Sequence, residues 1–122
     1  MSTRAIYIFA DNFDNSDTEV YAVYKHHDGY PDGARGFIVE TMKYAWEMPR
    51  FEADEFAAAF VAANKRSPGG VRLYPQALRL RKILELQGDA RYIYWIDKPA
   101  GFASIRVRYQ EEVDGPMNGL DL

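Results

Sequence analysis

Apolar residues fill every position from Ala5 to Ala10, with Ala5, Tyr7 and Phe9 alternating against Ile6, Ile8 and Ala10. Successive side chains of an extended chain leave opposite faces. A strand over Thr3 to Ala10 that is apolar on both faces therefore belongs at the centre of a sheet. The pattern breaks at DNFDNSDTE, where Asn, Asp and Ser predict a turn between two antiparallel strands. Glu19 to Lys25, aromatic and β-branched, is the second strand.

Beyond it the period changes. Phe37, Ile38, Thr41, Met42, Ala45 and Trp46 recur at helical spacing over roughly three turns, with Pro49 as the stop. Asp32 stands where an N-cap is expected. The clearest periodic signal follows: Ala53, Phe56, Ala57, Phe60 and Val61 mark a second helix, with Glu52, Asp54 and Glu55 at its start and Lys65 and Arg66 at its end. Ser67-Pro68-Gly69-Gly70 closes it and suits a flexible connection.

Val71 to Gln87 fits two periods. Leu73, Ala77, Leu80 and Leu84 suit a helix with Pro75 in its first turn, whereas Leu78, Leu80, Leu84 and Leu86 suit alternation; helix is preferred. The runs RYIYWID and GFASIRVRYQEE are strand-like and are joined by the turn former Asp97-Lys98-Pro99-Ala100-Gly101, so they form a hairpin. The tail from about residue 113 lacks apolar periodicity and is expected to be loosely held. The predicted fold is α+β: a small antiparallel sheet of about four strands with two or three helices packed on one face, in a single domain spanning 1–122.

Composition narrows the chemistry. The chain has 122 residues, no cysteine and a net charge of −3. No thiolate metal site, disulfide scaffold or cysteine nucleophile can be built, and direct nucleic-acid binding is not expected. No apolar run spans a bilayer and the N-terminus lacks a signal-peptide pattern, so a cytoplasmic protein is expected. Aromatics at 15% point to a ring-rich core or an exposed contact surface.

The special-purpose residues concentrate in YKHHDGYPDGAR, residues 24–35, a strand-to-helix loop in which Gly29 is expected to take a positive φ. His26 and His27, adjacent on an extended chain, should face opposite ways, which argues against joint chelation. Either one with Asp28 could serve as a general base in a small hydrolase, but no nucleophile stands beside them. The amides after Gly33, with Arg35 and Arg4, could hold a phosphate or nucleotide, against which Asp32 as N-cap would compete. Asp11, Asp14 and Asp17 lack the glycine and closing glutamate of a calcium loop, so neither a metal nor a cofactor is expected. The strip of Arg72, Arg79, Arg81, Lys82 and Arg91 reads as a solvated face.

The opening MSTR (Met1, Thr3, Arg4) and the later Asp28-Gly29-Tyr30-Pro31 loop resemble a group of small uncharacterised bacteriophage and prophage proteins. The similarity covers about the first forty residues, and more loosely GDARYIYWI. It implies a phage origin, a bacterial host cell and no particular catalytic residues. The reading preferred on this basis is a non-enzymatic binder of a host protein complex, such as an anti-defence inhibitor, with Asp11, Asp14, Asp17 and the His27, Asp28, Gly29, Tyr30 loop tip as contact surface. The nucleotide-binding module is the alternative and the hydrolase the second.

Overall fold

The computed structural model describes residues 3–65, 70–74, 80–86 and 90–122. Six strands form one mixed sheet: β1 (Ala5–Phe9), β2 (Tyr21–Lys25), β3 (Val71–Leu73), β4 (Tyr92–Asp97), β5 (Arg106–Gln110) and β6 (Asn118–Gly119), in the order β3-β2-β1-β4-β5-β6. Three helices accompany them: α1 (Pro31–Met42), α2 (Ala53–Asn64) and α3 (Leu80–Leu86). The α+β class stands, with β1 central as its two apolar faces require. No helix among the described residues is long and apolar enough to cross a membrane.

Two features of the expected sheet are corrected. It is mixed: β1 and β4 are parallel, Ala5 opposite Tyr92 through Phe9 opposite Ile96, while the other pairs are antiparallel. It is also covered on both faces. Ala5, Tyr7 and Phe9 join Ile38, Phe56 and Phe60 of α1 and α2, whereas Ile6 and Ile8 pack with Ile93 and with Ile83 of α3. All five β1 residues are fully buried, so a second layer is obligatory: leaving Ile6 and Ile8 in water would forgo about 1.5 to 3 kcal/mol each.

The aromatics supply a ring-rich core. Tyr7 stacks on Tyr94 at 4.9 Å and tilts against Phe60 at 4.5 Å, and Phe9 meets Phe56 and Phe60. Tyr92, Tyr94 and Tyr109 extend the cluster across β4 and β5.

Local chemistry explains where elements begin and end. Pro31 occupies the first turn of α1, where its missing N–H costs nothing, and the cap position belongs to Tyr30, whose side chain makes no capping bond. Asp32 is thus inside the helix and not its cap. Ala34, Ile38 and Thr41 form the buried stripe, and the helix ends at Met42, before Ala45 and Trp46. Pro49 disfavours helical geometry at Met48 and removes a donor, so the chain has already turned back by then. Helix α2 runs Ala53–Asn64, as its pattern predicts.

The described residues between Val71 and Leu86 hold both states, Val71–Leu73 as strand β3 and Leu80–Leu86 as α3. Pro75, Ala77, Leu78 and Arg79, like the Ser67-Pro68-Gly69 stop, lie outside the described residues. The β4–β5 hairpin forms as predicted. The tail, expected to be loose, pairs Asn118 and Gly119 with β5 and buries Leu120 in the core.

Candidate functional site

The parallel pair β1–β4 brings two carboxyl ends to one edge of the sheet, the position where α/β sheets place their ligands. Asp11 follows β1 and Asp97 ends β4, and the ladder continues between them: the Ala10 amide donates to the Ile96 carbonyl and the Lys98 amide to the Asp11 carbonyl. Asp97 is fully buried. Its carboxylate accepts Arg106 Nε at 2.9 Å, Arg106 Nη2 at 2.6 Å and the Phe13 amide at 2.9 Å. This hydrogen-bonded pairing, ahead of the opposing effect of burial, raises the Arg106 pKa. A forked guanidinium suits a buried carboxylate because each partner satisfies the other's bonding groups.

Asp11 has a second role. Glu52, at the cap position of α2, makes no capping bond, and the Ala53 amide donates instead to Asp11 Oδ1 at 2.8 Å. A residue 42 positions away in the chain thus caps the helix and brings its positive end to this edge. Asp14 lies within 3.5 Å of Arg106, on its solvent side. Asn12 and Asn15 accept from the amides of Asp14 and Asp17, folding the turn as successive Asx motifs.

Between this turn and the start of α2 lies a cleft of about 440 Å³. Among the described residues Asp11, Asp17, Glu19, Glu52 and Asp54 line it with Asn12, Asn15, Thr18 and Tyr21, and no lysine or arginine does. The Tyr21 hydroxyl donates to Glu19, and that bond pushes its pKa up to about 12, so it remains a donor at neutral pH. Among the described residues no group of three or more His, Asp or Glu side chains is arranged to hold a metal ion.

The histidine loop lies at the opposite end of the sheet. The Gly29 amide donates to the Thr3 carbonyl, before β1 begins, so the length of β1, about 17 Å, separates this loop from Asp11. Expected to form one contact surface, the histidine loop and the acidic turn are not brought together by the structure. His26 and His27 do not face opposite ways either. Strand β2 ends at Lys25, the backbone turns, and the two rings meet edge to face at 4.7 Å, with His26 Nδ1 2.8 Å from the Tyr24 hydroxyl.

In the same loop the positive φ belongs to Asp28, at 58°, and not to Gly29. Glycine is needed at position 29 for close approach: a Cβ would lie 2.7 Å from Ala5 Cβ and 2.9 Å from the Thr3 carbonyl. Gly29 is buried, its carbonyl accepting from the Tyr94 hydroxyl, while Tyr30 and Asp28 are exposed. Arg35 is committed to Asp32 at 2.8 Å and to the Asp121 carbonyl at 2.6 Å, and the Asp28 carbonyl packs against Gly33 at the helix start. The carbonyl of Arg4 accepts from the Arg91 and Tyr92 amides. Of the residues expected to grip a phosphate, Arg35 already serves the fold. Arg72, Arg81, Lys82 and Arg91 are exposed.

Three residues here escape a sequence reading. Lys25 is buried with Nζ 3.9 Å over the Phe37 ring, and burial lowers its pKa. Tyr7 is fully buried, and its hydroxyl has no hydrogen-bond partner among the described residues. Asp97 ends an otherwise apolar strand, and that position was the one signal for its role.

No protein-family model, curated protein or solved structure matches the chain. The geometry of these two ends therefore carries the functional argument.

Proposed function

We propose that the protein is a non-enzymatic binding module that engages a basic surface of a host protein complex, in the manner of a phage- or prophage-encoded accessory that blocks a host defence. One observation carries this reading: among the described residues the cleft at the carboxyl edge is lined by five acidic side chains and no basic one. Such a surface steers a basic partner and rejects acidic ones. Asp11 and Asp17 line the cleft and Asp14 flanks it, so the contact surface lies here, with the Tyr30 tip left to the far end. A hydrolase reading has less to recommend it, because His26 Nδ1 is bonded to the Tyr24 hydroxyl and the two histidine rings pack edge to face. Nucleotide binding is weakened because Arg35, one of its two expected cations, is paired with Asp32 and the Asp121 carbonyl.

The test is affinity capture from infected or prophage-carrying cells, at low and at physiological salt, with an Asp17→Lys/Asp54→Lys double variant alongside. A stoichiometric basic partner is expected whose recovery falls with salt and disappears with the variant. Recovery of no such partner at either salt, or equal recovery by the variant, overturns the reading.

A further inference from the structure

Glu52 lines the acidic cleft and also a second, shallow groove between the end of α1 and the start of α2. Ala45, Trp46, Phe51 and Phe56 give this groove an apolar floor, and Arg50, Glu52 and Glu55 rim it. Its enclosed volume is only about 10 Å³, so contact must be made chiefly on exposed surface. That surface is aromatic: Trp46 is 49% exposed and Tyr44 56%. Trp46 is held in place, because Arg50 stacks on its ring at 3.6 Å and bonds Glu52 through Nε and Nη2. A large ring fixed before binding loses little entropy on docking, and tryptophan is the commonest type of anchor at protein interfaces.

Charge decides what the anchor can meet. The two basic side chains of the connector are already matched, Arg50 to Glu52 and Lys43 to Glu40, whereas Glu47, Asp54 and Glu55 are exposed beside them. A second copy of this chain would set acidic rim against acidic rim, and an anionic lipid surface would be repelled in the same way.

Resting on the binding reading above, we infer that the partner presents an apolar side chain flanked by lysine or arginine: the apolar group docks on Trp46, and its basic neighbours reach the carboxylates of the adjoining cleft. Arg50 is then a positioning residue that pins the anchor ring.

The probe is a short fluorescein-labelled peptide with a central leucine flanked by lysines, read by fluorescence anisotropy. One counterpart replaces the leucine with alanine and another replaces the lysines with glutamate. The leucine–lysine peptide is expected to bind at least about tenfold tighter than either. Trp46→Ala should reduce its affinity to that of the alanine peptide while the protein remains folded, with a cooperative unfolding transition, and Trp46→Phe should restore part of it. Asp54→Lys should weaken binding more at low salt than at high salt.

Equal binding of the leucine and alanine peptides, or no effect of Trp46→Ala, overturns the inference and leaves the acidic cleft as the whole contact. Failure of every peptide to bind overturns it too, while capture of a cellular partner tests the binding reading separately. Self-association that rises with concentration and is lost in Trp46→Ala would assign the groove to a second copy, against the inference.

Discussion

The two ends of the sheet use charge in opposite ways. At the carboxyl edge one carboxylate, Asp97, is sunk into the protein and fully matched, so that Asp11, Asp14 and Asp17 can be displayed around it. At the far end several ionisable groups are engaged within the fold: Lys25 lies over Phe37, the two histidines pack on each other, and Arg35 ties α1 to the C-terminal segment. The comparison separates display from architecture. The motif-rich loop is the one that closes the fold, and the plainer acidic turn is the one that faces solvent.

The comparison breaks first at Asp97. Asp97→Ala removes three hydrogen bonds at once, leaving the Phe13 amide without its partner and the half-buried guanidinium with only the more distant Asp14. Breaking a buried pair on one side costs about 3 to 5 kcal/mol. Urea unfolding should show a loss of that size, together with loss of the acidic turn's order in amide exchange. A loss below about 1 kcal/mol would mean that the turn is held by something else.

At the far end the expected losses are steric. A Cβ at Gly33 would lie 2.2 Å from the Asp28 carbonyl, which is backbone and cannot swing away, whereas a Cβ at Gly36 meets nothing within 4 Å. Gly33→Ala should therefore cost about 1 to 3 kcal/mol. Gly36→Ala, inside the same helix, should gain about 0.5 to 1 kcal/mol because alanine is the better helix former. Two glycines three residues apart would thus shift the unfolding midpoint in opposite directions. If both gain, the loop is not packed as tightly as its distances say.

That pair also shows what the sequence could and could not reveal. Periodicity found α2, β1 and the β4–β5 hairpin because each buries a regular stripe. The two apolar faces of β1 already implied cover on both sides, yet the Val71 to Gln87 segment that supplies it mixes a strand and a helix and matches neither period throughout. Parallel pairing of β1 with β4 is a long-range fact without a local signature, and it is what sets Asp11 beside Asp97. The glycines were legible as a loop. Which residue takes the positive φ depends on how close the chain passes to Ala5 and Thr3, and no dipeptide rule contains that distance.

Back at the carboxyl edge, Asp11→Ala should cost about 1 kcal/mol through loss of the cap on α2. Asp11→Asn keeps an acceptor and should recover most of that stability. It lowers the acidity of the cleft nonetheless, so a labelled basic peptide should bind it more weakly while its unfolding curve stays near that of the parent protein. Equal stability of both variants would show that Ala53 does not depend on Asp11.

The smallest effect is expected at Lys25, and it sharpens the contrast by its sign. Burial lowers this lysine's pKa, with the Asp28 charge opposing the change, so the folded protein releases the proton more readily than the unfolded chain. Between the lowered value and the ordinary lysine value the unfolded chain binds more protons, and stability rises with pH; below that window the cost of burying the charge is present in full. Lys25→Met keeps the length and apolar stem and removes the charge. It gives up the contact with Phe37, worth about 0.5 to 2 kcal/mol, which offsets much of the relief, so a net change within about 1 kcal/mol of the parent is expected near neutral pH. The diagnostic is the trend: the parent protein should gain on the variant as pH rises from about 7 to about 10 in urea unfolding, because only the parent sheds a proton. A gap of more than about 1 kcal/mol in favour of the parent that shrinks over that range would mean that the ammonium, once charged, is favourably held. Lys25 would then be gaining from its charge, most directly from Asp28, and the far end of the sheet would also be a place where charge is displayed rather than hidden.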